Sequence, residues 1–211
     1  MSLSRFRLWL PVTAMTLLLA ACVSLPDRDD RLAVHTLRVA TTEAIALRSP
    51  VTLRIDLPLA APPLDSARLV RRQASGEIGL LSDVRWNQPA PALWQQLLLQ
   101  HLSDSQGWQA VVTPSSSVRS DVRLSGVLRE FDYRTDDAAS GAVHITFQAQ
   151  WIDERSQRVL ATQVFSHSER VDREHLAIVE GFQRATDVLL PQVLHWAIEQ
   201  TANADADAPH Q

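Results

Sequence analysis

The chain has 211 residues, 45% hydrophobic and 21% charged, which fits one globular domain or two small ones and excludes the disordered, collagenous and polytopic classes. All 20 basic residues are arginine, and 24 acidic ones outnumber them to give a formal charge of -4, so no basic footprint for a nucleic acid is present. A single cysteine rules out an internal disulfide framework or a cysteine-rich zinc module.

Met1 to Arg7 carries Arg5 and Arg7 and runs into Leu8 to Ala21, which holds no charge. This is a signal-peptide pattern. The apolar run is shorter than the roughly 20 residues of a membrane-spanning helix. Pro11 interrupts it, and it stops at Leu19-Ala20-Ala21-Cys22. Those four residues look like a bacterial lipobox, with cleavage after Ala21 and Cys22 as the lipidated first residue of the mature chain. Acyl burial at about 0.8 kcal/mol per methylene makes attachment by several chains effectively permanent. Loss of Arg5 and Arg7 takes the net charge from -4 to -6, so the acyl groups, not attraction to anionic lipid, are expected to hold the protein. Val23 stands where an inner-membrane retention signal places Asp, which by resemblance to sorted lipoproteins favours the periplasmic face of the outer membrane.

The expected organisation is a signal peptide over 1–21, a lipidated cysteine and tether over 22–33, one domain over 34–201, and a patternless, disordered tail over 202–211. The polar stretch Val23 to Arg31 reaches only about 30 Å. Val34 to Val39 and Val51 to Leu57 alternate apolar with polar, as half-buried strands do. Arg68 to Arg72 and Glu77 to Leu81 flank Gly76 as a hairpin. Pro89 and Pro91 announce a helix from Ala92 to Ser105, with Leu93, Leu97, Leu98, His101 and Leu102 on one stripe and Gly107 as its stop.

Four strands follow, at Trp108 to Thr113, Asp121 to Arg134, Ala142 to Asp153 and Val159 to Val171. In the third, Val143, Ile145, Phe147, Ala149 and Trp151 face the core and His144, Thr146, Gln148 and Gln150 face outward. The outward side carries few charges to keep a sheet edge or face from pairing. Asp172 can cap a closing helix from Arg173 to Thr201, striped by Leu176, Val179, Phe182, Thr186, Leu189, Val193 and Trp196, with a kink at Pro191. The fold class is α+β: a single domain, largely an antiparallel meander packed against two main helices.

The seven histidines include no pair at metal-ligand spacing with a glutamate. Ser125-Gly126 lacks the preceding glycine of a nucleophile elbow, and six scattered glycines make no phosphate loop. These absences argue against catalysis, a metal or a cofactor other than the covalent lipid on Cys22. Ser115 to Ser117 reads as a loop, and Asp136-Asp137 with Ser140-Gly141 as a turn. Arg85 and Trp86, ahead of a helix, are residue types that dominate interaction hot spots. Either they form a partner or oligomer interface, or Trp86 staples the helix start into the core while Arg85 is solvated. Trp94, slightly off the leucine stripe, fits a rim contact or a core edge.

The order of features resembles the ABC-type transport auxiliary lipoproteins, the PqiC-like group. It comprises the lipobox, a strand before a proline-rich turn, Leu64-Asp-Ser-Ala-Arg68, and Val84-Arg85-Trp86 before a proline-begun helix. Leu124 to Phe131, Trp151-Ile-Asp153, Val159-Leu-Ala-Thr162 and a closing helix with Trp196 complete it. The resemblance implies an outer-membrane lipoprotein that works with an MCE-domain protein and its inner-membrane transporter components in moving lipid, supports envelope integrity, and forms homo-oligomeric rings. A lipid- or glycolipid-binding chaperone of outer-membrane assembly is the alternative, and a periplasmic hydrolase the poorest fit.

Overall fold

The computed structural model describes residues 32–46, 48–135 and 140–206. Ala21, Cys22, the tether up to Arg31, the Asp136-Asp137 turn and residues 207–211 lie outside the described residues. In chain order the elements are β1 (Ala33–His35), β2 (Ser49–Ile55), β3 (Arg68–Gln73), β4 (Ile78–Trp86) and α1 (Ala90–Asp104). They continue with β5 (Trp108–Val112), β6 (Val122–Thr135), β7 (Ser140–Asp153), β8 (Arg158–Asp172) and α2 (His175–Ala206). Ser140 and Gly141 therefore open a strand and do not belong to the turn expected there.

The alternating runs of β6, β7 and β8 pair antiparallel as expected, and β3 with β4 form the hairpin around Gly76, whose φ is +87°. The other edge of β6 is shared. β2 pairs parallel with Val122 to Leu124, β3 pairs parallel with Asp132 to Thr135, and the isolated bridge Leu59↔Val127 lies between them. β5 extends the sheet beyond β2, while β4 and then β1 extend it beyond β3, so two wings branch from one long strand. The parallel pairings β1–β4, β2–β5, β2–β6 and β3–β6 had no signature in the sequence, because parallel strands are joined by long connections that leave no turn signal.

One face of the sheet carries both helices. Val143, Ile145, Phe147, Ala149 and Trp151 of β7 are each at most 1% exposed on that face. Trp94 of α1 packs on Phe147, and Trp196 of α2 sits edge-on to Trp151 and Phe165. Trp94 is thus a core residue, 0% exposed. The buried stripe of α2 is Ile178, Phe182, Ala185, Leu189, Val193 and Trp196, whereas Leu176 is 60% exposed. Asp172 ends β8 and does not cap α2, which begins at His175 and runs through Pro191, on its exposed side, as far as Ala206. The end expected at Thr201 came from a change in composition to which the helix does not respond.

Two further expectations change. The strand read at Val34 to Val39 keeps only β1. Beyond it the chain leaves the sheet to cross the helices, where Arg38 exchanges backbone hydrogen bonds with the Gln183 amide at 2.9 and 2.8 Å and Ile45 N–H donates to Ser105 C=O at 2.8 Å. Its apolar alternation is real, but the partner of Leu37 is the core beneath the helices. The left-handed residue after α1 is Gln106, at φ 56°, not Gly107. Gly107 is small because Ile45 Cδ1 would lie 3.0 Å from a β-carbon there.

Candidate functional site

Arg85 and Trp86 end β4, where alternation sends adjacent side chains to opposite faces. Trp86 is 1% exposed and meets Phe131 and Phe182 edge-on, with ring centroids at 5.7 and 5.1 Å. It fixes the end of β4, ahead of α1, between β6 and α2 and cannot reach a partner while the fold is intact, so of the pair only Arg85, which is exposed, can form an interface. The sequence leaves Trp86 open between a partner or oligomer contact and a core residue, because an aromatic residue before a helix serves either purpose, and the contact reading is the one its burial removes.

The face of the sheet away from the helices is polar and layered by register. Glu130, Thr146 and Ser166 stand in one row, where the Thr146 hydroxyl lies 2.7 Å from Glu130 Oε2 and 2.8 Å from Ser166 Oγ. Burial pushes the Glu130 carboxyl up, but hydrogen bonds from Thr146 and Arg134 outweigh it and hold this acid below the ordinary glutamate range. The next row is Asp132, His144 and Ser168. Asp132 is fully buried, with Arg134 Nε 3.0 Å from Oδ1 and Arg72 Nη2 3.3 Å from Oδ2.

That second row contains the residue types of a hydrolase triad, yet both Asp132 oxygens are engaged by arginines and the Ser168–His144 contact is a long 3.4 Å. The row therefore acts as an ion-pair lock between β3 and β6. At the other end of the face, Arg54, Asp56, Arg123 and Glu154 form a second charged cluster joining β2 and β6 to the turn after β7. Glu169 on β8 is held below its usual value by a hydrogen bond from Arg184 of α2, with His167 adding to it and burial opposing. Among the described residues no group of three or more His, Cys, Asp or Glu could hold a metal ion, and no helix is long and apolar enough to cross a membrane.

The surface expected to pair, on β7, has no open edge. β7 lies between β6 and β8 over its whole length, Thr146 is 8% exposed, and His144, Gln148 and Gln150 are half-buried. The open edge of the meander is that of β8, where no Asp, Glu or Arg occurs from Val159 to Ser168 and Val159, Leu160 and Val164 are exposed.

Residues 35–193 match the family described as the ABC-type transport auxiliary lipoprotein component. The chain belongs to this family. The fold of this auxiliary lipoprotein is also that of solved structures. Protein XCC0632 from Xanthomonas campestris is similar at a TM-score of 0.72 and 23% identity, covering 83% of this chain and all of that one. An uncharacterized protein matches at 0.61 and 15% identity over 78% of this chain and 97% of its own. The hypothetical protein CT253 from Chlamydia trachomatis matches at 0.52 and 6% identity, over 72% of this chain and 98% of its own. No curated protein matches.

Within this auxiliary lipoprotein, sequence reasoning missed the buried Asp132. Its signal was present as three outward positions, Glu130, Asp132 and Arg134, alternating acid, acid, base on a strand otherwise apolar on its inner side. An unassigned cavity of about 250 Å³ lies among Ile45, Pro50, Trp108 and Ile198, with Arg48 at its rim.

Proposed function

We propose that this auxiliary lipoprotein is a noncatalytic, lipid-anchored subunit of an intermembrane lipid transport system. It docks the periplasmic end of an MCE-domain protein at the outer membrane and supports envelope integrity. The family match over residues 35–193 carries the reading. The lipobox ending at Cys22 adds the anchor, since acylated Cys22 with a tether of about 30 Å keeps the body close to its membrane. Several copies around one axis would keep every short tether on the same side.

Noncatalytic action agrees with the polar face, whose acids and arginines are spent on one another and not held ready for a substrate. The chaperone reading needs an apolar groove; the apolar cavity beside Trp108, about 250 Å³, falls below the roughly 300–1,000 Å³ of small-molecule sites, and the larger hollows beside Glu154 and Arg170, about 510 and 350 Å³, are lined by charged side chains. The deciding experiment is a pull-down of the full chain from detergent-solubilised envelope with identification of the captured proteins. Recovery of an MCE-domain protein is the expected result. Recovery of stoichiometric lipid without any such protein would favour the chaperone instead.

A further inference from the structure

The charge of the chain is not evenly spread. Within its strands the wing formed by β1, β4 and β3 holds Arg68, Arg71, Arg72 and Arg85 against Asp83, and with Arg72 paired to Asp132 of β6 the excess rests on the other three arginines, in a protein whose formal charge is -4. Arg68 and Arg85 stand directly opposite each other on adjacent antiparallel strands. Like charges so placed repel. Both are exposed, and neither guanidinium has a hydrogen bond or ion pair among the described residues.

Strand pairing and the burial pattern of β4, whose register with β3 shifts between Arg68 and Val70, place exposed apolar side chains beside these arginines on the outer side of the wing. Val34 of β1 pairs with Arg85, Leu80 of β4 pairs with Val70, and Ile78 pairs with Arg72. Their exposures are 51%, 41% and 46%. Unopposed cations beside protruding apolar side chains match a phospholipid surface, which offers phosphates above and acyl carbon below. The position of the wing in the chain agrees, because β1 begins at Ala33, a few residues beyond the stretch that links the body to Cys22.

We infer that the outer face of the β1–β4–β3 wing lies against the membrane, with Arg68 and Arg85 contacting the phosphates of anionic phospholipid and Val34, Ile78 and Leu80 entering the headgroup layer. This rests on the anchored reading for attachment and adds an orientation to it. A cation near an anionic surface contributes on the order of fivefold in occupancy, too little to hold the protein but enough to choose one face among several.

The test uses the full chain as cells produce it, reconstituted with vesicles of phosphatidylcholine alone or of an equimolar mixture with phosphatidylglycerol. Amide hydrogen exchange is followed in β1, β4 and β8, and flotation reports attachment. The expected result is slower exchange in β1 and β4 with phosphatidylglycerol present and no change in β8. Arg68→Glu with Arg85→Glu removes that protection without affecting flotation, and Arg68→Lys with Arg85→Lys keeps it. Equal exchange in both lipids, protection unchanged in the glutamate variant, or protection that appears only when a partner protein is added would overturn the inference. If the wild type fails to float with phosphatidylcholine, the anchor reading falls alone. The wing is then judged by whether the wild type, but not the glutamate variant, sediments with phosphatidylglycerol vesicles.

Discussion

Among the polar residues inside the protein, Asp132 and His101 are stabilised in opposite ways. Asp132 is 0% exposed but fully paired. Asp132→Asn should remove the charge that two arginines converge on, at a cost of about 3 kcal/mol, measurable as a lowered urea midpoint with unchanged slope. His101 is 5% exposed; its Nδ1 lies 2.7 Å from the Thr42 hydroxyl and its Nε2 has no partner. Burial holds its pKa below the ordinary value, against the pull of Asp104. The unfolded chain therefore binds the proton first, and stability should fall as pH drops below the ordinary histidine value of about 6.5. His101→Phe should flatten that limb. Glu130 and Glu169 act lower on the scale. Their folded values are depressed, so their contribution is complete above about pH 4.3 and is lost as pH falls through the folded values. Glu130→Gln should leave the histidine limb intact and reduce the acid one, as read from unfolding free energies at a series of pH values.

At the scale of elements, the meander depends on two glycines that its aromatic neighbours require. A β-carbon on Gly126 of β6 would lie 2.2 Å from Gln148 O and 2.7 Å from the Phe147 ring of β7, and one on Gly141 of β7 would lie 2.2 Å from Arg134 O and 2.7 Å from the Tyr133 ring of β6. Each glycine thus accepts a ring from the strand beside it. Gly126→Ala should cost about 2 kcal/mol through displaced packing, visible as a lower melting temperature. Phe147→Asp should cost more, several kcal/mol, by placing a charge among Trp94 and the helices. His144→Asp is outward and would be mild on alternation alone. The structure sets it opposite buried Asp132 and near Glu130, so a measurable loss of about 1–2 kcal/mol is expected from like charges. Alternation in Val143 to Trp151 was enough to read β7 and its core face, since a two-residue period admits one burial pattern. Neither the branching of the sheet at β6 nor the lock at Asp132 could be read that way, because both depend on strands far apart in sequence that share one edge.

For the molecule as a whole, the anchor separates two sources of attachment. Cys22→Ala should leave the chain unprocessed or free in the periplasm, whereas high salt should leave the wild type on its membrane. Fractionation and immunoblotting read both, and salt release of the wild type would refute acyl attachment. The proposed lipidation of Cys22 and cleavage after Ala21 are read from a linear signal and lie outside the described residues. The choice between a contact and a core role for Trp86 could not be read from sequence, since burial is a property of the whole fold. One modest feature of that fold acquires weight once the protein is considered under load. β1 is held to β4 by three residue pairs, and it is the first strand after Leu32. Tension in the upstream chain therefore reaches this short parallel strand before the long β6–β7 ladder. Stretched, the protein should yield there first, shearing β1 away and lengthening as far as Arg38, where paired hydrogen bonds to Gln183 take up the strain. The body would thus have a compliant joint between the proposed anchor and its core, able to extend under force and to re-form when the force is released.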